Sequence, residues 1–200
     1  MSKINNFEFV LPTKIIFGEG TINQLPDAVR NMGHEKPLIV TDKGLIAAGL
    51  VSKITGVLDD AGIEYAIFDG IQPNPRDTTV QEAAAFAEEN AIDMMIAIGG
   101  GSSMDTAKAI GVILKEGGII NDYEGLDVVS KPITDLIAIP TTVGTGSEVT
   151  FWSVITDTKR HFKMSVGSPL IAAKLAIVDP DLVETLPPSI IAATGMDALT

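Results

Sequence analysis

"DMMIAIGGGSSMDTAKAIGVILKEG", residues 93–117, decides how this chain is read. Its first part, 93–101, is an apolar run that ends in Gly99, Gly100 and Gly101. Its second part, 103–117, carries apolar residues at helical spacing and stops at Gly117-Gly118. A strand that runs through glycines into a helix leaves backbone N–H groups without Cβ atoms in front of them. The N-terminal dipole of the helix points the same way, which suits a phosphate or pyrophosphate. Gly99 and Gly101 match the first two glycines of G-x-G-x-x-G, but Met104 stands where the third belongs. The plain alternative is a tight strand-to-helix turn with Ser102 or Ser103 as N-cap.

The same alternation extends on both sides. Residues 36–42 ("KPLIVTD") read as a buried strand, and 49–63 as a helix with Leu50, Ile54, Val57 and Leu58 on one side. Residues 64–71 give a second strand and 79–92 an alanine-rich helix, while 135–142 and 173–180 add two more strands. Continuous apolar strands separated by amphipathic helices imply a doubly wound α/β domain, Rossmann-like, with a mostly parallel sheet covered on both faces. Ligands of such sheets bind at the carboxyl ends of the strands. Asp42, Asp69-Gly70, Gly99–Ser102 and Thr141-Thr142 all fall there. Residues 141–168 depart from the pattern and read as a polar loop followed by a β-hairpin insertion. Pro187-Pro188 marks a boundary. Residues 1–186 then form the α/β domain, and 187–200 the start of a helical domain, truncated in mid-helix.

Composition bounds the function. Among 200 residues, 26 acidic and 14 basic side chains give a net charge of −12. An acidic surface without a Lys/Arg cluster excludes nucleic acid as the expected partner. No apolar run approaches the ~18 residues of a membrane span, and the N-terminus lacks a signal-peptide core. The absence of cysteine excludes disulfides and thiolate metal sites. A soluble, cytoplasmic protein acting on a small molecule is the expectation.

Four features outside the glycines carry chemistry. Asp42, closing a strand, suits both hydroxyls of an adenosine ribose and would favour NAD over its 2′-phosphorylated form; equally, it suits a helix cap. "IPTTVGTGSEVT" (139–150) gathers hydroxyls and glycines in one loop, as polar recognition of a ribose or diphosphate requires. Asn74 lies in a Pro-Asn-Pro turn that a rigid loop explains adequately. Asp197 is a carboxylate in an apolar helix start, where burial would demand a cation or metal and a helix N-terminal position would explain it otherwise. The two histidines, His34 and His161, suit a surface and a hairpin. No catalytic side chain is assigned.

Taken together and in order, "FGEG", "VTDKG", "PNP", "AIGGGSSMDTAKAI", "IPTTVGTGSEVT" and "DPDLVETLPP...ATGMDALT" resemble the iron-containing (group III, metal-dependent) alcohol dehydrogenase family across essentially the whole chain. The resemblance implies an NAD-binding α/β domain, a helical domain, and a divalent metal (Fe2+, alternatively Zn2+) between them. It implies that Gly99, Gly100, Gly101 and Ser102 hold the pyrophosphate, Asp42 the adenosine ribose, and Asn74 a place near the cofactor. Thr141, Thr142 and Thr145 would contact the adenine and phosphate side. Lys163 would reach the nicotinamide ribose, Phe151 would wall the nicotinamide or substrate region, and Leu182 would line the pocket. Asp105 and Lys108 fit the family's helix motif and equally a surface ion pair. Asp197 would be the first metal ligand, with the rest beyond Thr200. The implied reaction interconverts a primary alcohol or diol and an aldehyde by hydride transfer, in a homodimer or larger homo-oligomer. For these 200 residues alone the expectation is cofactor binding without turnover. A dehydroquinate-synthase-like or glycerol-dehydrogenase-like metal/NAD enzyme and a non-enzymatic dinucleotide module stand as alternatives.

Overall fold

The computed structural model describes residues 10–184 and 186–199. Six parallel strands form the main sheet: β1 (Lys14–Phe17), β2 (Pro37–Val40), β3 (Ala66–Phe68), β4 (Met94–Gly99), β6 (Leu136–Pro140) and β9 (Leu175–Val178), in the order β1-β9-β6-β4-β2-β3. Five of the helices are α1 (Leu25–Asn31), α2 (Lys43–Ala47), α3 (Leu50–Asp60), α4 (Asp77–Glu89) and α5 (Gly101–Glu116). The doubly wound α/β expectation is met.

The central strands β2, β4, β6 and β9 are apolar throughout because both faces are covered, whereas the edge strands β1 and β3 are largely exposed or half-buried. Successive side chains point to opposite sides, and two buried clusters result. Leu38, Val40, Met95, Ala97, Leu136 and Ala138 pack with Val80, Ala83, Ala84 and Ala87 of α4 and with Ala107 and Ile110 of α5. Ile39, Met94, Ile96, Ile98, Ile137 and Ile139 pack with Leu25 and Val29 of α1 and with Leu50, Ile54 and Leu58 of α3. Each of the Val, Leu, Ile and Met side chains contributes ~1.5–3 kcal/mol on burial.

The strand order places the site. From β2 the chain moves outward to β3, then returns to the other side of β2 as β4. The connections therefore diverge at the carboxyl ends of β2 and β4, leaving a crevice that begins at Asp42 and Gly99.

The expected hairpin is present as β7 (Trp152–Asp157) and β8 (Phe162–Gly167), antiparallel, with the two-residue β5 (Gly125–Leu126) beside β8. The helix expected after the proline pair is α6 (Pro188–Leu199). Residues Lys14–Phe17 form β1, an edge strand beside β9. Among the described residues, no helix is long and apolar enough to cross a membrane.

Candidate functional site

Local rules build the glycine turn. Gly99, the last residue of β4, has φ +147°, and a Cβ there would strike the Ser103 side chain. Gly100 is the N-cap of α5, with no side-chain cap. The expectation of a Ser102 or Ser103 cap is thereby corrected: both serines lie inside the first turn, because the glycines let the helix begin at Gly101. The first N–H groups of a helix have no intrahelical acceptor, so this end faces the crevice uncapped. A Cβ on Gly100 would come 3.0 Å from Thr142 Oγ1, and one on Gly101 3.3 Å from Thr145 Cγ2. Side chains here would close the gap between helix and threonine loop.

Two adjoining cavities meet over this turn. The larger, about 820 Å³, runs along Asp42, Lys43, Asp69, Gly70, Gly100–Ser103, Thr141, Thr142 and Thr145, with Pro187, Ile190 and Thr194 on its far wall. The smaller, about 320 Å³, lies beyond Gly101, Ser102 and Thr145, which both share. It is walled by Asn74, Pro75, Thr150, Trp152, Thr156 and Lys163.

Most of the expected residues are thus brought to one crevice. Asp42 does part of what the plainer reading proposed: its Oδ1 accepts from Leu45 N at 3.0 Å and caps α2. Asn74 sits at φ +57°, a left-handed conformation that asparagine tolerates, and Lys163 projects from β8 opposite Thr156. Three expectations are corrected. Leu182 is 1 % exposed within the α1/α3 cluster and has no surface to offer a ligand. Phe151 stacks on Trp152 at 6.2 Å, and it is Trp152 that faces the smaller cavity. Asp197 is exposed on α6 rather than buried, so no burial cost demands a cation for it.

The surface ion pair expected of Asp105 and Lys108 is also corrected. Lys108 is fully buried. Its Nζ donates to the carbonyls of Ser147 (2.7 Å), Thr150 (2.9 Å) and Trp152 (2.8 Å) and to Thr150 Oγ1 (3.2 Å). Asp105 accepts from Ser147 Oγ and, at 3.1 Å, from Val154 N. Burial raises the Asp105 carboxyl above its usual range, against the Ser147 hydrogen bond and the Lys108 charge. Burial pushes the Lys108 ammonium down to about 8, against Asp105 and Glu148.

A second network, centred on the buried carboxylates of Asp77 and Asp157, was not legible in the sequence. Asn121 Nδ2 donates to Asp77 (3.2 Å) and Asp157 (2.8 Å), and Arg160 Nε to Asp157 (2.7 Å). Burial alone would raise Asp77; hydrogen bonds from Thr158 and Asn121 outweigh it and lower the carboxyl. Together with Thr156 N donating to Pro75 O at 2.7 Å, the network ties the hairpin to the Pro-Asn-Pro turn.

The sequence profile of the iron-containing alcohol dehydrogenases matches residues 12–180. The chain belongs to the iron-containing alcohol dehydrogenase family. It is 45 % identical to a choline dehydrogenase of Bacillus subtilis, covering 100 % of this chain and 50 % of the relative. It is 43 % identical to an NAD-dependent methanol dehydrogenase of Bacillus methanolicus, covering 96 % and 50 %. The crystal structure of a sulfoacetaldehyde reductase of Bifidobacterium kashiwanohense in complex with NAD+ superposes with a TM-score of 0.90 at 35 % identity, covering 96 % of this chain and 51 % of that one. The chain spans about half the length of these family members.

Proposed function

We propose that this chain is the dinucleotide-binding part of an NAD-dependent oxidoreductase that interconverts a primary alcohol or diol and an aldehyde. The observation that carries the reading is the uncapped, side-chain-free start of α5 at the sheet's switch point, with Asp42 at one end of the crevice and Lys163 at the other. The adenosine half lies in the larger cavity, where the Asp42 carboxylate accepts from the ribose hydroxyls. The pyrophosphate rests on the amides of Gly100, Gly101 and Ser102, with Thr142 and Thr145 across from them. The nicotinamide half enters the smaller cavity, between Asn74, Lys163 and Trp152. When bound, NAD supplies the hydride acceptor; the chain's own residues orient it and exclude water from one of its faces. The NAD-dependent relative and the NAD+-bound neighbour support the choice of cofactor.

Of the ligands to the family's divalent metal, the resemblance places Asp197 alone on this chain. Among the described residues no three His, Cys, Asp or Glu side chains gather into a metal-holding group. A catalytic site needs about three protein ligands, so no step is derived through a metal. The reading includes a cytoplasmic homodimer, and for the dimer the exposed Ile15 and Phe17 of β1, an edge strand among the described residues, are the supporting feature. Calorimetric titration with NAD+ tests the reading. Saturable one-to-one binding without alcohol oxidation is expected of these 200 residues. Absence of binding at millimolar NAD+ refutes the cofactor assignment, and appreciable turnover refutes the claim of binding alone.

A further inference from the structure

We propose that Lys108 is a positioning residue for the nicotinamide half of the cofactor, acting through the loop whose carbonyl oxygens it gathers. The inference rests on the dinucleotide reading above. Lysine is almost never fully buried unless it is paired, yet Lys108 is 0 % exposed. What surrounds its Nζ is chiefly backbone: the carbonyls of Ser147, Thr150 and Trp152 all accept from it. Ser147 and Thr150 belong to the connection from β6 to β7 and Trp152 opens β7; buried carbonyls such as these need a donor. An ammonium has three donors and no acceptor, so it suits a ring of inward-pointing oxygens. A methionine would fill the same volume and leave them unpaired.

One helical turn earlier, Asp105 accepts from Ser147 Oγ and Val154 N, and its carbonyl accepts from Ser153 Oγ at 2.7 Å. The loop from Ser147 to Val154 is thus tied to α5 at both ends and in the middle. That same loop supplies Ser147, Thr150, Trp152 and Val154 to the wall of the smaller cavity. The helix that presents the phosphate cradle at its first turn therefore sets the nicotinamide wall two turns later. None of the loop atoms bound by Lys108 lines the larger cavity. The two halves of the cofactor should feel the loss of Lys108 unequally.

Protonation offers a second handle. The charged groups bearing on Lys108 are Asp105 on its own helix and Glu148 on the loop; Thr150 and Trp152 present neutral oxygens. Its ammonium, pushed down to about 8 by burial, loses a donor as pH rises through that value. The loop then keeps two N–H groups for four acceptors.

The test measures NADH and ADP binding to the wild-type chain and to Lys108→Met. Trp152 is the only tryptophan and walls the smaller cavity, so energy transfer from it to NADH reports occupancy there; ADP is followed by calorimetry. For folded Lys108→Met the NADH dissociation constant should rise at least about tenfold, while that of ADP stays within about threefold. Unchanged NADH binding, or equal losses for both ligands, overturns the proposal while leaving the dinucleotide reading intact. Should circular dichroism show Lys108→Met unfolded, the wild-type chain decides between about pH 7 and about pH 9.5. NADH affinity should fall through about pH 8 with ADP affinity steady, and a flat NADH profile overturns the proposal. A wild-type chain that binds neither ligand at millimolar concentration overturns the dinucleotide reading itself, and this proposal with it.

Discussion

Replacing Asp42 by asparagine separates two roles that one carboxylate performs. Its Oδ1 caps α2 through Leu45 N at 3.0 Å, and asparagine caps a helix about as well as aspartate. Stability should therefore change by only a few tenths of a kcal/mol. The crevice side is different. Hydrogen bonds to a charged acceptor are worth ~1.5–3 kcal/mol against ~0.5–1.5 for a neutral one. Losing the charge alone should weaken NAD+ binding by ~1–1.5 kcal/mol, roughly five- to tenfold. Asp42→Ala loses the acceptor altogether, ~1.5–3 kcal/mol or roughly 10- to 150-fold, and also the cap, costing ~1 kcal/mol of stability. NADP+ responds in the opposite sense. A 2′-phosphate held ~5 Å from the carboxylate at an effective dielectric of ~20 meets a repulsion of ~3 kcal/mol per unit charge. Screening by salt reduces this, yet Asp42→Asn should still bring NADP+ affinity close to that of NAD+. Calorimetric titration of the three proteins with both dinucleotides measures every one of these values. Equal affinity of the wild-type chain for NAD+ and NADP+, or an NADP+ affinity indifferent to Asp42→Asn, would refute the reasoning.

Gly99→Ala forces a side chain into φ +147° and against Ser103; strain and overpacking together should cost ~2–4 kcal/mol in urea unfolding, and a neutral result means the turn is not set by that glycine. Burial alone would raise Asp135, but hydrogen bonds from Lys174 (2.7 Å) and His34 (3.1 Å) outweigh it and hold the carboxyl below its ordinary range. A carboxylate depressed by folding adds stability that is present above its unfolded pKa and lost as pH falls through the folded one. Asp135→Asn should therefore flatten the decline of Tm below about pH 4 by the equivalent of ~0.5–1 kcal/mol, and identical pH slopes for the two proteins would sink this account. Gly111→Ala gains ~1 kcal/mol of helix propensity, but its methyl lies 2.8 Å from Ile133 Cβ and 2.9 Å from Met95 Cε. Overpacking of ~1–3 kcal/mol should outweigh the gain, so a Tm above that of the wild type contradicts the packing argument.

The architecture was legible because burial on both faces writes itself into composition. A strand such as 94–99 must be apolar at every position, and the helices between strands must be apolar on one side only. What followed from strand ends was legible too: Asp42, the glycines and the threonines stand at carboxyl ends, and the strand order turns carboxyl ends into a crevice. Lys108 was not, because spacing along a helix tells which residues share a face and says nothing of what covers that face. An Asp and a Lys three apart look alike whether water or a loop lies over them. The covering loop begins some forty residues later, and its carbonyls carry no side-chain signature at all. Leu182 and Phe151 were misplaced for a related reason. Being near a site in sequence does not determine which of two neighbours, Phe151 or Trp152, turns toward the cavity.

The methionine at the third glycine position follows from where close packing is needed. In the dinucleotide fingerprint the third glycine lets helix and strand approach. Here that position is held by Met104, 1 % exposed and part of the cluster between α5 and the sheet. The side chain fits because the helix passes over the sheet at a distance set further along. At Gly111, two turns beyond Met104, Met95 of β4 and Ile133 leave no room for even a methyl group. The close approach has therefore moved down the helix, from its first turn to its middle. The consequence for the site is specific. The strand-to-helix turn keeps glycines at 99 to 101, where Ser103, Thr142 and Thr145 crowd the space a Cβ would take, and position 104 is devoted to anchoring. A helix anchored by Met104 and pressed to the sheet at Gly111 also holds Asp105 and Lys108 between those two points. They face the loop from the most firmly seated stretch of α5, which is where side chains that must hold a cavity wall in place belong.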